Sequence, residues 1–237
     1  MTPAKPDYGV DAPKVMRNLF LSGLLCLLLA IFLPRVLHLG PVFGWPAFFL
    51  LLEGCLFLLY VKLGKLRHRD FMLAMHTWRG NEQVLDLGCG RGLLLVGAAK
   101  HLNAGGYATG IDMWSNVDMG GNSEAATEKN LDLEGVASRC NLVTGYAQEM
   151  PFADASFDVI VSNLCLHNIY DRPTRLKALD EIVRVLKPGG IALISDYKLT
   201  GEYASRFAGR GLQVEKRWGS FVTTFPPLRV IIARKPT

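Results

Sequence analysis

The nine residues Val84-Leu85-Asp86-Leu87-Gly88-Cys89-Gly90-Arg91-Gly92 concentrate the chemistry of this chain. An acid stands inside a short apolar run, three glycines follow at alternate positions, and Leu93, Leu94, Leu95, Val96, Ala98 and Ala99 suit a helix. The pattern predicts a buried strand, a tight turn and a helix start. Glycines let the backbone turn sharply and approach a ligand without a side chain in the way. The unpaired N–H groups of the helix start suit a polar or anionic group. A dinucleotide fingerprint would place its third glycine at position 93, where Leu93 stands, and does not include the acid at 86. An ordinary strand-to-helix turn is the competing reading.

Further polar residues fall at predicted strand ends. Tyr107-Ala108-Thr109-Gly110-Ile111-Asp112 reads as the second strand, and Asp112 lies about 20 residues past the turn, where such folds hold a ribose. Two carboxylate oxygens suit a vicinal diol. Met113 or Trp114 would then cover an adenine face, and Trp114 could equally be a core anchor. Asn163-Leu164-Cys165-Leu166-His167-Asn168 follows the fourth strand, and Asp196-Tyr197 the fifth, read over residues 191–195. His167 suits a general base, because imidazole titrates near neutral pH, or a structural histidine beside the cofactor. Asp196 and, in the N-terminal arm, Tyr8 complete the catalytic candidates. None of the seven tyrosines has a lysine four residues on, as a short-chain reductase would need.

The acid before a G-x-G-x-G turn resembles motif I of class I S-adenosylmethionine-dependent methyltransferases. Gly145-Tyr146-Ala147-Gln148-Glu149-Met150-Pro151-Phe152 followed by Ser156-Phe157-Asp158 is similar to the G-D-A-x-x-L-P-F…S-F-D pattern of their ubiquinone/menaquinone C-methyltransferase-like branch (methyltransferase type 11). The resemblance covers residues 82–234. It implies S-adenosylmethionine as cofactor, bound by Asp86, Gly88, Cys89, Gly90, Gly92, Asp112, Met113, Trp114, Ala147, Gln148 and Asn163. Tyr146 stands where the branch usually has an aspartate, which shifts adenine recognition to the Ala147 backbone and Gln148. The N-P-P-Y tetrad of relatives that methylate amide or base nitrogens is absent.

These residues need a scaffold. Strand and helix alternate after residue 81, the signature of a parallel sheet covered on both faces. The expected α/β fold is a Rossmann-like, seven-stranded, mostly parallel sheet. Its last strands, read over 211–217 and 228–233, form an antiparallel edge in the resembled family. A loop over residues 115–123, with Asn116, Asp118, Gly120, Gly121 and Asn122, leaves the carboxyl end of the sheet and suits a lid.

The first 80 residues are of another kind. Residues 18–34 carry no charge and residues 42–61 carry only Glu53. At 1.5 Å per residue each reaches across a hydrocarbon core of roughly 30 Å, the first barely. We read a cytosolic arm (1–17), a transmembrane helical hairpin whose turn is supplied by Pro34, Gly40 and Pro41 (18–61), a basic juxtamembrane linker (62–80) and a methyltransferase domain (81–237). An interfacial or buried helix pair competes for the short first span. Lys5, Lys14 and Arg17 precede the hairpin and Lys62, Lys65, Arg67 and Arg69 follow it, so both ends are expected in the cytoplasm.

The net charge of +5 thus belongs beside anionic lipid rather than nucleic acid. Five cysteines without Cys-x-x-Cys pairing suggest reduced thiols and no zinc framework. The expected function is a membrane-anchored methyltransferase acting on a small, lipophilic acceptor, lipid-like or quinone-like. A second copy could pack through Gly54 beside Glu53. A methyltransferase of soluble metabolites and a cofactor-binding module without turnover are the alternatives.

Overall fold

The computed structural model describes residues 4–33, 40–115, 119–221 and 223–237. Pro34 of the expected turn, and Asn116 and Asp118 of the 115–123 loop, lie outside the described residues, whereas Gly40 and Pro41, expected in that turn, begin a helix in which proline fits the first turn.

Two long helices open the chain, α1 (Pro13–Phe32) and α2 (Gly40–Leu59), packed on each other. Both are long and apolar enough to cross a membrane by length and composition. Their outward faces are uncovered: Leu21, Leu24, Leu25, Leu28, Ile31, Phe48 and Phe49 are all exposed. Gly54 is used within the chain, where its missing side chain makes room for the Phe20 ring. α2 does not end in a linker. A π-helical turn (Tyr60–Gly64) carries it into α3 (Lys65–Leu73), so residues 40–73 form one helix. Such turns insert one residue into the helical ladder and often mark functional places.

The domain proper follows β1 (Gln83–Leu87), α4 (Leu93–Ala99), β2 (Tyr107–Asp112), α5 (Glu124–Leu133), β3 (Cys140–Thr144), β4 (Phe157–Asn163), α6 (Arg172–Val185), β5 (Leu186–Asp196), α7 (Thr200–Gly209), β6 (Gln213–Trp218) and β7 (Arg229–Arg234). The sheet order is β3-β2-β1-β4-β5-β7-β6. β1 to β5 run parallel, and β7 lies antiparallel between β5 and β6. This is the Rossmann-like mixed sheet expected from the alternation. Burial on both faces explains the near-continuous apolar strands Val84–Leu87 and Val159–Val161.

The sheet divides two cores. One gathers Leu95, Ala98, Val161 and Leu193 with Met72 and Leu73 of α3, so the long helix is part of the domain's packing. The other gathers Leu85, Ile160, Leu179, Ile182 and Phe207 beneath α6 and α7. β5 starts earlier than expected, because Pro188, Gly189 and Gly190 form an irregular strand entry with a register shift opposite Phe157 and Val159.

Candidate functional site

The carboxyl ends of β1, β2 and β4 open on a cavity of about 580 Å³, within the usual range for small-molecule sites. The glycine turn forms its floor. Gly88 and Gly90 hold φ of 69° and 51°, a left-handed backbone that suits glycine. An added side chain at Gly88 would collide with the Cys165 sulfur. The N–H groups of Gly88 and Cys89 donate to the Ile111 carbonyl, which ties the turn to β2.

Asp112 stands at the end of β2 in the wall of this cavity. Its Oδ2 accepts from the Gly90 N–H at 2.8 Å, and its Oδ1 accepts from the Trp114 N–H at 2.7 Å and from Asn122 Nδ2 at 3.2 Å. A carboxylate has about four acceptor positions, so it is oriented and retains capacity for a ligand. Met113, Ala147, Gln148, Tyr146 and Asn163 line the same space. Trp114 does not. Its indole N–H donates to Thr144 Oγ1 at 2.8 Å, outside the cavity lining, so Met113 supplies the apolar side chain there.

Three other members of the expected set also lie outside the large cavity. Gly92 caps α4 at φ 83°, its carbonyl accepting from Val96. Cys89 packs its sulfur against Gly110 of β2. Asp86 is buried and faces a small neighbouring cavity of about 40 Å³, shared with Cys89, Arg91 and Asn163. Burial pushes the Asp86 carboxyl up to about 8, with nearby Asp112 adding to the effect and the Leu95 N–H opposing it.

Asp86 Oδ2, Asn163 Oδ1 and Arg91 Nε are buried polar atoms without a hydrogen-bond partner among the described residues, and all three residues line that small cavity. Such orphans call for a ligand or water. Two acceptors beside a guanidinium fit an α-amino acid end, its ammonium toward the oxygens and its carboxylate toward Arg91. A ribose-binding carboxylate and an apolar slot open alongside in the large cavity. Together these residues fit S-adenosylmethionine.

The third group sits at the end of β5. Asp196 is fully buried; it accepts from the backbone N–H groups of His167 and Tyr197 and from the Tyr203 hydroxyl. His167 Nδ1 lies 2.9 Å from Asp196 Oδ1, and His167 lines the cavity. Nδ1 has no hydrogen-bond partner among the described residues, so Asp196 holds His167 through its backbone N–H rather than through the ring. The arrangement places an imidazole in the cavity wall beside a buried carboxylate.

Tyr8 belongs elsewhere. The arm packs on the domain: Tyr8 is buried and its hydroxyl donates to Glu134 at 2.6 Å. Burial, with Glu134 beside it, raises this hydroxyl well above the ordinary phenol value and keeps it protonated. It lies off the large cavity and is no proton acceptor there. The arm is held by three further residues. Lys65 donates to the Tyr8 and Gly9 carbonyls, Asn130 exchanges hydrogen bonds with the Asp7 backbone, and Arg91 pairs with Asp7 at 3.0 Å. Asp11 and Ala12 are thereby brought to the cavity edge.

Its remaining wall was not legible in the sequence. Val15 from α1, Phe57 from the end of α2, Tyr60 from the π-helical turn, and Phe225 and Pro226 from the β6–β7 connection close it. The uniform apolarity of residues 42–61 hides which of them face inward.

The fold and site define a class. Residues 85–194 match the methyltransferase domain family, and the sheet around them has the fold of class I S-adenosylmethionine-dependent methyltransferases. Among relatives, a demethylmenaquinone methyltransferase of Staphylococcus aureus is 37% identical over 115 residues, 48% of this chain and 43% of its own. An uncharacterised protein of Haemophilus influenzae is 29% identical over 147 residues, 59% of this chain and 55% of its own. The chain spans about half the length of the curated relatives it matches.

In solved structures, a SAM-dependent methyltransferase from Aquifex aeolicus superposes with a TM-score of 0.57 at 19% identity, covering 71% of this chain and 90% of that one. The [4+2]-cyclase SpnF superposes at 0.60 with 18% identity, covering 73% and 82%. A cyclase on the same fold means that the reaction must be argued from the site.

Proposed function

We propose that this chain is a membrane-anchored enzyme that transfers a methyl group from S-adenosylmethionine to a small lipophilic acceptor. One observation carries the reading. The cavity that meets the glycine turn and Asp112 on one side is closed on the other by Val15, Phe57 and Tyr60, at the base of two helices apolar enough for a bilayer. An acceptor dissolved in that bilayer meets the site at high effective concentration. The Staphylococcus aureus relative is named for a quinone, demethylmenaquinone, which supports a quinone-like or lipid-like acceptor.

The cofactor supplies an electrophilic methyl on a sulfonium. This chain's own task is alignment and proton removal. Asp112 and the glycine turn fix the donor end, and the apolar wall excludes water from the reacting pair. His167 takes the proton that the acceptor hydroxyl or ring carbon loses as the new bond to the methyl forms; Asp196 orients it.

Lys14, Arg17, Lys62 and Arg67 are exposed at the same end of the hairpin, which supports cytoplasmic placement of both ends and of the domain. Incubating membranes that contain the full chain with methyl-labelled S-adenosylmethionine tests the reading. Label in the organic extract is expected. Label confined to water-soluble products overturns the lipophilic acceptor, and no transferred label overturns turnover.

A further inference from the structure

The end of β6 and the connection that leads to β7 carry two large aromatic residues that the domain does not cover. Trp218 is 48% exposed and Phe221 62% exposed, their rings 5.1 Å apart, and the Arg229 guanidinium stacks 3.9 Å over the Trp218 ring. A soluble domain gains nothing from leaving such a pair in water, and the connection is not loose. Gly219 N–H donates to the Leu228 carbonyl and Thr224 N–H to the Ser220 carbonyl.

Its position relative to the long helix is fixed by two close approaches. The Thr223 carbonyl lies where a side chain at Gly64 would stand, and the His68 ring lies against Gly219. The apolar run ends at Val61. At 1.5 Å per residue, Gly64 is about 5 Å and His68 about 10 Å beyond it. The head-group layer on one side of a bilayer is about 5–8 Å deep. If α2 spans the membrane as proposed above, the connection runs from head-group height at Thr223 to the outer edge of that layer at Gly219, within reach of the long Trp218 side chain.

The chemistry around it fits that depth. Tryptophan and other amphipathic aromatics concentrate at the membrane–water interface, with arginine and lysine beside them. Leu63, Leu66 and Phe71 are exposed on the adjoining helix, and Lys62, Arg67, Lys216 and Arg217 are exposed basic residues of the two elements. The far side of the same connection supplies Phe225 and Pro226 to the cavity wall.

We infer that Trp218 and Phe221 form a second membrane contact, which seats the mouth of the acceptor cavity in the head-group layer of an anionic bilayer. It rests on the membrane reading of the hairpin and adds a surface of the catalytic domain itself. The β6–β7 connection then does two jobs: its aromatic side enters the lipid and its Phe225 side guides the acceptor inward.

Quenching by bromine-labelled lipids tests it. The full chain is reconstituted in phosphatidylcholine–phosphatidylglycerol vesicles with brominated acyl chains, alongside Trp218→Phe, and both are extracted with alkaline carbonate. We expect a bromine-quenched emission component in the parent that Trp218→Phe lacks, with both proteins retained in the pellet. Identical quenching of the two, with Trp218 emission open to aqueous iodide, overturns the inference while retention leaves the hairpin standing. Extraction by carbonate with quenching of Trp218 intact retains the contact and removes the hairpin; extraction without quenching removes both.

Discussion

The Lys65 ammonium lies 2.6 Å from the Gly9 carbonyl oxygen and 2.9 Å from that of Tyr8, so the foot of the long helix holds the N-terminal arm across the glycine turn. Lys65 is 6% exposed. Removing a charged donor strands buried acceptors at about 1.5–3 kcal/mol. Lys65→Met should therefore free the arm, exposing residues 4–12 to protease and weakening S-adenosylmethionine binding. Unchanged proteolysis and unchanged binding in that variant would mean that the arm does not depend on Lys65.

Asp112 is oriented by Gly90, Trp114 and Asn122 and faces the cavity. Asp112→Ala should cost about 1.5–3 kcal/mol of cofactor binding, or roughly ten- to hundredfold in Kd. Calorimetry on the full chain in detergent measures it, and an unaltered Kd would remove Asp112 from the ribose site.

His167 and Asp196 act as a pair in our account, and neither is needed to hold the cofactor. His167→Ala should lower kcat by about 10²–10⁴ with the cofactor Kd within a fewfold of the parent. Asp196→Asn should give part of that loss. A proportional loss of cofactor affinity in His167→Ala would assign the histidine to binding instead.

Burial raises the folded-state value of Asp86 from 3.8 to about 8, so the cofactor-free protein holds a proton there that the unfolded chain releases. The stability this contributes is fully present below about 4 and is lost as pH rises through about 8. Asp86→Asn removes the titration. The melting temperature of the cofactor-free parent should thus fall relative to Asp86→Asn between pH 5 and pH 9. A constant difference across that range would show that Asp86 is ionised throughout.

The glycine turn, Asp112 and the strand–helix alternation could be read from the chain because local spacing dictates them. Residues whose roles depend on distant partners could not. Tyr8 reads as a catalytic candidate in the N-terminal arm until Glu134, Asn130 and Lys65 are brought to that arm by the fold. Lys65 and Arg69 read as lipid-facing cations, yet Lys65 turns inward to the arm and Arg69 packs over Gly97. Trp114 adopts φ 57°, which turns its ring to Thr144 and away from the cavity. Arg91 and Asn163 lie in or near the quoted motifs, but their unpartnered atoms appear only once β1, β4 and the arm enclose them.

Mass spectrometry of lipid extracts tests the central claim most directly. Cells making the parent chain are compared with cells making His167→Ala at equal level. The account predicts a membrane-soluble compound heavier by one methylene in the first and its lighter precursor in the second. Identical lipid profiles, with the methylated difference found only among water-soluble metabolites, would contradict it.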